Sequence, residues 1–191
     1  MHCAELFGSR AWVVAFLAFS ASLLPQGMTT PMTAATTAAA VSIFSAPASI
    51  LGNEVALRIG RRAWIVIVMS VTALVGIAMA LLAASPWWVI FALLAVYSML
   101  VMADSATLTA GLVASAEPSV RGAAMGLYSL IGFGLGGALG PIIFGIALDA
   151  TGGGRTPSDW AIAFAALGFG CLLFPLFDGW LHKGSPFKGA R

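Results

Sequence analysis

One stretch of 22 residues, from Ala63 to Ala84, contains no charged side chain. An α-helix rises 1.5 Å per residue, so about 20 apolar residues span the roughly 30 Å hydrocarbon core of a bilayer. Only 8% of the chain is charged, whereas a soluble surface usually carries about 25 to 35% charged residues. The stretch is continuous and lacks the alternation of a membrane β-barrel strand. The sequence therefore predicts an all-α polytopic membrane protein whose first partner is the lipid bilayer.

Similar apolar runs occur six times and predict a single membrane domain, residues 1–191. The six predicted helices cover about 11–28, 33–52, 63–84, 87–114, 122–148 and 160–181. A loop of only Ser85-Pro86 divides them into two groups of three. Because three is odd, the second group enters from the opposite side, which is the condition for an inverted-topology repeat. A cleaved signal peptide is the alternative interpretation of the first run.

The basic residues fall mainly on one side of this six-helix arrangement, eight against one. The eight are Arg10, Arg58, Arg61, Arg62, Arg121, Lys183, Lys188 and Arg191, and the other side receives only Arg155. Lysine and arginine in short loops are retained in the cytoplasm. Both termini are therefore predicted to be cytoplasmic, and the compact loops favour a bacterial inner membrane. The net charge of +2 needs no nucleic-acid partner.

Three passages carry a recognisable pattern at matching distances along the chain. They are Asn53-x-x-x-Leu57-Arg58-x-Gly60-Arg61-Arg62, Glu117-Pro-Ser-Val-Arg121-Gly122-x-x-x-Gly126 and Gly136-Gly137-x-x-Gly140-Pro141-x-x-x-Gly145. Together they resemble the C-terminal six-helix half of a major facilitator superfamily transporter. The first is similar to the family's cytoplasmic loop between the second and third helices of each half. The second is similar to its link between the fourth and fifth helices, and the third to its glycine-proline fifth helix.

The resemblance implies secondary transport of a small solute, bound near the bilayer midplane between two six-helix halves that rock to alternate access. This chain would then be a truncated or half-length transporter, whose partner is an N-terminal half or a second copy. Leu57 stands where the family has an aspartate that helps to hold the inward gate, so a gate is not implied here. A membrane scaffold or regulatory protein that does not transport is the alternative function.

The first residues add a further resemblance. His2-x-x-Glu5-Leu-Phe-x-x-Arg10-x-Trp12 is similar to sequence well inside the first helix of this half in some bacterial members. This similarity implies that Arg10 lies in or near the membrane, which changes the charge ratio to seven against one.

Asp104 is the leading functional candidate, because it lies about midway along the fourth apolar run. An ionised acid there costs about 2.5 to 3.5 kcal/mol on insertion scales, so it should face a partner or water. The functional hypothesis is that Asp104 titrates or pairs with a cation during transport. The structural alternative is a hydrogen bond to Ser105, to Thr107 or to a neighbouring helix.

His2, Glu5 and Arg10 are the other candidates for substrate binding or coupling. His2 and Glu5 are three residues apart and would share a helix face, and histidine is the side chain most easily protonated near neutral pH. The alternative interpretation is a solvated chain end.

The glycine-rich fifth run contains Gly132-x-Gly134-x-x-Gly137, which matches a dinucleotide-binding fingerprint on paper. That fingerprint requires a preceding strand, so this match is interpreted as false. Gly136, Gly137, Gly140 and Gly145 are predicted to allow close helix packing, and Pro141 is predicted to kink the helix.

No enzyme, cofactor or metal site is predicted. The only histidines are His2 and His182, near the two ends of the chain, so a buried catalytic base or haem ligand is not suggested. Cys3 and Cys171 are far apart and unflanked by other metal ligands.

Overall fold

The computed structural model describes residues 2–25 and 28–181, with side chains described up to residue 169. All regular structure in these ranges is helical. The helices are α1 (His2–Ser22), α2 (Ala34–Ile59), α3 (Arg61–Leu81), α4 (Trp87–Ala103), α5 (Ser105–Ser115), α6 (Arg121–Ser129), α7 (Gly137–Thr151) and α8 (Pro157–Leu181), with a π-helical segment, Leu130–Gly136, between α6 and α7.

Five helical spans in the described ranges are long and apolar enough to cross a membrane. They are His2–Ser22, Ala34–Ile59, Arg61–Leu81, Trp87–Ser115 and Arg121–Thr151. The fourth span joins α4 to α5, and the fifth joins α6, the π segment and α7. The 25-residue α8 follows as a sixth helix. The predicted all-α polytopic architecture is therefore confirmed.

The helices form two groups of three, since α1 to α3 are followed by the α4–α5 span, the α6–α7 span and α8. The most extensive contacts between elements join α3 to α8, α2 to α4, and α1 to α7. In the two groups, α1 corresponds to the α4–α5 span, α2 to the α6–α7 span, and α3 to α8. The α1–α7 contact in one direction therefore corresponds to the α4–α2 contact in the other, and the α3–α8 contact joins two corresponding helices. This contact pattern is the one expected of a fold built from two related three-helix groups.

Aromatic side chains fill the space between α1, α7 and α8. Phe16 and Phe144 are fully buried. The ring of Phe164 meets both of them edge-on, with centroids 5.7 Å from Phe16 and 5.0 Å from Phe144. Edge-to-face aromatic pairs contribute stability beyond that of the apolar area they bury. The cluster therefore fixes the positions of the three helices.

The first helix differs from its predicted bounds, because α1 begins at His2 and ends at Ser22 instead of covering residues 11–28. The prediction placed the charged residues Glu5 and Arg10 ahead of the helix. In the structure Glu5 is buried by neighbouring helices, so a charged side chain did not mark the helix start. The structure places His2, Glu5 and Arg10 within the first helix.

The arginine-rich stretch is mostly helical, which corrects its prediction as a loop. α2 continues to Ile59 and α3 begins at Arg61, so the connection is Gly60 alone. Gly60 has a φ of 95°, a conformation that residues with a Cβ rarely adopt. One glycine therefore reverses the chain between two long helices.

The loop before α8 is ordered by a capping arrangement. The Asp159 carboxylate accepts hydrogen bonds from the backbone N–H groups of Arg155 (2.9 Å) and Thr156 (3.0 Å) and from the Thr156 hydroxyl (2.7 Å). Three successive glycines, Gly152 to Gly154, all have positive φ. The carbonyl of Gly154 accepts a hydrogen bond of 2.8 Å from the Trp160 indole, so the loop is tied to the first turn of α8.

Acid is expected to loosen this loop through Asp159. The hydrogen bond from the Thr156 hydroxyl holds the pKa of Asp159 below its usual range. Burial raises this pKa, and the hydrogen bonds from the backbone N–H groups of Thr156 and Arg155 lower it further. A lowered folded-state pKa gives stability that is present above about pH 3.9 and lost as the pH falls through the folded pKa. Tryptophan fluorescence of the wild type should therefore titrate below about pH 4, whereas Asp159→Asn should lack this transition. An identical titration in both proteins would contradict the assignment.

Candidate functional site

The fourth membrane span is interrupted at Asp104, where the sequence predicted a continuous helix. α4 ends at Ala103 and α5 begins at Ser105. The Asp104 backbone stays near the right-handed helical region (φ −94°, ψ −13°), and its carbonyl accepts a 2.9 Å hydrogen bond from the Leu108 N–H group. The Trp64 indole of α3 donates a 3.1 Å hydrogen bond to the Ala103 carbonyl beside the break. The interruption is thus braced from a neighbouring helix.

The structure brings together His2 and Asp104, which are distant in sequence. The His2 Nδ1 atom lies 2.9 Å from the Asp104 Oδ1 atom. His2 is 7% exposed and Asp104 is 2% exposed. The contact lacks the angle of a directed hydrogen bond, since Oδ1 has no hydrogen-bond partner among the described residues. Proximity and charge therefore define the pair, which we call the His2–Asp104 pair.

The predicted local alternatives for Asp104 are not what the structure shows. Thr107 is 1% exposed, and its hydroxyl has no hydrogen-bond partner within the described part of the chain. Ser105 accepts a 3.1 Å hydrogen bond from the Thr109 hydroxyl through its carbonyl, and no bond joins its side chain to Asp104. The buried neighbourhood thus leaves polar atoms available for another partner.

Glu5 lies one turn along α1 from His2 and is 3% exposed. Glu5 interacts with its surroundings, and His2 forms an ion pair with Asp104. A coupling role for Glu5 stays a prediction.

A cavity of about 490 Å³ lies beside the pair, between α1, α3, α5, α6, the π segment and α7. His2, Cys3 and Tyr128 line its polar part, and the remaining walls are apolar. Sequence reasoning missed Tyr128, because nothing in its local pattern sets it apart on the glycine-rich span.

Two very close helix crossings flank the His2–Asp104 pair. At the first, Gly140 of α7 faces the backbone of Ala4 and Gly8 on α1. At the second, Gly52 of α2 faces the backbone of Ala103. Any side chain on either glycine would meet a carbonyl oxygen. Ala4 is two residues after His2, and Ala103 directly precedes Asp104. The two crossings therefore fix the backbone positions of the segments that carry the pair.

The other predicted packing residues, on the π segment and α7, also face α1. Gly136 faces Cys3 and Ala4, Gly137 faces the Phe7 ring, and Gly145 faces the Trp12 ring. Pro141 is inside α7, and its carbonyl accepts a 3.0 Å hydrogen bond from the Trp12 indole. Gly132 and Gly134 belong to the π segment, which follows α6 and not a strand. A dinucleotide-binding turn is therefore not formed there.

The two predicted cytoplasmic motifs form no ion pair with His2 or Asp104 among the described residues. In the first, Arg58 bonds to Glu54 at 3.2 Å on an exposed surface, and Arg62 also has a partner. Asn53 has a buried amide oxygen, and Arg61 a buried Nε atom, without a hydrogen-bond partner among the described residues.

In the second motif, Arg121 donates to the Ala116 carbonyl at 3.5 Å. Glu117 and Gly122 are exposed, and a Cβ on Gly122 would meet no atom within 4 Å. These residues form the surface between α5 and α6.

Arg10 lies on another face of α1, at an open cleft between α1, α2, α4 and α8. The cleft also exposes hydroxyl groups, and apolar side chains line the rest. The hydroxyl-bearing residues are Ser9, Ser42, Ser45, Tyr97 and Ser98. The cleft has a volume of about 460 Å³ when the adjoining solvent space is included, and its enclosed volume is only about 30 Å³. It is therefore a shallow cleft that opens to the surface.

The described residues contain no group of three metal-ligating side chains. His182 and the Cys171 side chain lie outside the described part of the structure.

Comparison with known proteins gives one match. The model of a family described as Major Facilitator Superfamily matches residues 5–190. No curated protein and no solved structure gives a significant match.

Proposed function

The chain belongs to the major facilitator superfamily, and from this membership we propose alternating-access transport of a small solute, coupled to protons through the His2–Asp104 pair. The protein is an integral membrane protein of a transporter family. The observation that carries the coupling proposal is the 2.9 Å approach of His2 Nδ1 to Asp104 Oδ1, with both residues buried.

The pair can exist in protonation states of different net charge. A charged histidine with an ionised aspartate is neutral overall, whereas protonating Asp104 leaves an uncompensated positive charge on His2. Removing one partner from a buried ion pair costs about 3 to 5 kcal/mol. A proton arriving at Asp104 therefore favours an arrangement in which His2 regains water or another anion.

The two glycine crossings link such a change to the bundle. A shift of the His2 region would move Ala4 against Gly140 of α7, and a shift at Asp104 would move Ala103 against Gly52 of α2. Closely packed backbones are displaced as units, because their contacts cannot deform gradually. Protonation at the pair is thereby connected to motion of two whole spans.

A second six-helix unit is proposed to complete the transport path, as an N-terminal half or a second copy. The α6–α7 span and α2 support this proposal, because only 11% and 22% of their apolar windows are buried, against 33 to 50% for the other three spans. The Arg10 cleft supports it too, because the cleft opens to the surface. The positive-inside pattern favours cytoplasmic termini in a bacterial inner membrane.

Flux measurements test the proposal. The chain would be reconstituted in proteoliposomes alone and together with an N-terminal six-helix half. Uptake of labelled benzoate, glucose, glycine and choline would be followed with and without a pH gradient. We expect uptake of at least one solute, increased by the gradient. If neither preparation took up any of the four solutes, the transport proposal would be overturned and a scaffold protein would be favoured.

A further inference from the structure

Arg10 is a cation in the middle of a membrane span. It lies eight residues after His2 within α1, a rise of about 12 Å, so it is more than two helical turns from either end of the helix. Charged residues at such positions mark substrate or ion paths, because the hydrocarbon core does not solvate them. The side chain of Arg10 is exposed to the cleft and does not pack into the bundle.

The described part of the structure supplies no counterion to Arg10. No hydrogen bond or ion pair of its guanidinium occurs within the described ranges, and no acidic residue lines the cleft. Glu5, the other charged residue of α1, is buried away from the cleft lining. An uncompensated guanidinium at this depth calls for an anion from outside the described chain.

The hydroxyl groups refine the chemistry of that anion. The hydroxyls of Ser9, Ser42 and Ser45 already donate to helix carbonyls of their own segments. Ser98 has no such internal bond in the described structure and is free to donate. The Arg10 guanidinium and the Ser98 hydroxyl suit a single carboxylate, which accepts two parallel N–H bonds from arginine and one further donor.

We propose that Arg10 is the binding residue for the carboxylate of a small organic monoanion, whose apolar body contacts the cleft walls. Leu6, Val13, Val41, Leu94 and Phe164 supply those walls. A single cation is a poor match for a dianionic phosphate, and the apolar walls exclude a sugar-like solute. This inference deepens the proposed transport function and rests on it.

Binding, measured without flux, tests the inference separately. The full chain in lipid nanodiscs would be titrated with labelled benzoate, inorganic phosphate, benzylamine and benzyl alcohol by equilibrium dialysis. We expect saturable binding of benzoate that exceeds that of the other three at least tenfold. Arg10→Gln should weaken benzoate binding at least tenfold, Arg10→Lys less, and Ser98→Ala about threefold. Arg58→Gln, a matched change of an exposed arginine, should leave binding unaltered.

Circular dichroism and size-exclusion profiles of each variant control for misfolding, and Ser98→Ala keeps the test decisive if Arg10→Gln does not fold. Equal binding of benzoate and benzyl alcohol, unchanged binding in Arg10→Gln, or absence of saturable benzoate binding would overturn the inference. Loss of association with an N-terminal half in Arg10→Gln, with benzoate binding intact, would show that Arg10 pairs with a protein acid. Benzoate binding without flux would instead overturn transport alone.

Discussion

Replacing Gly140 with alanine is expected to lower the melting temperature of the purified protein by about 6 to 12 °C. The added Cβ would meet the Ala4 carbonyl oxygen and the Gly8 backbone. Backbone atoms at a helix crossing cannot move aside like the end of a flexible side chain. Overpacking costs about 1 to 3 kcal/mol, and we expect the upper limit here, at about 2 to 4 °C per kcal/mol for a chain of this size. Thermal unfolding in detergent measures the change.

Gly126→Ala is the matched control on the same membrane span. A Cβ at Gly126 would meet no atom within 4 Å, and alanine is favoured over glycine inside a helix by roughly 0.5 to 1 kcal/mol. The control should therefore leave the melting temperature unchanged or raise it slightly. Equal melting temperatures for the two variants would contradict the crossing described at Gly140.

Asp104→Asn is expected to reduce uptake driven by a pH gradient at least tenfold in the reconstituted transporter. Asparagine keeps the size of the side chain but removes the negative charge beside His2. A tenfold change corresponds to about 1.4 kcal/mol, which is smaller than the roughly 3 to 5 kcal/mol of a broken buried pair. Solute exchange without a pH gradient should be retained, because it requires no net proton movement.

Asp149→Asn provides the control, since Asp149 is an exposed acid at the end of α7. Its uptake should equal that of the wild type. His2→Gln should reproduce the effect of Asp104→Asn, and the double variant should be no worse than either, because residues of one pair act together. Independent, multiplying losses in the double variant would show that the two residues serve separate steps.

The sequence predicted the helical membrane architecture because its apolar runs are long and uncharged, and helix length is set directly by bilayer thickness. It failed where a charged residue lay inside a helix. Glu5 and Arg10 were taken as the edge of the first apolar run, yet the bundle buries Glu5 and presents Arg10 to a cleft. Composition along a segment cannot distinguish a charge in water from one in a cleft.

The candidate site shows the same limit. Asp104 was identifiable by its depth in an apolar run, and His2 by its chemistry, but their 2.9 Å contact joins α1 to the fourth span. Only the packing of α1 and α4 brings these distant positions together. The glycines were foreseeable as packing residues. Their partners on α1 were not, because the pattern of one helix does not specify the helix that it contacts.

The π segment has a consequence for the register of its span. In an α-helix each residue turns the chain by about 100°, whereas the i→i+5 hydrogen bonds of a π-helix widen the turn. Leu130–Gly136 therefore offsets the angular phase of α6 from that of α7. A helical wheel drawn through the whole span would assign Gly126 and Gly140 to incorrect relative directions. A one-residue deletion within the segment would rotate α6 about its axis relative to α7, although the sequences of α6 and α7 themselves would be unchanged.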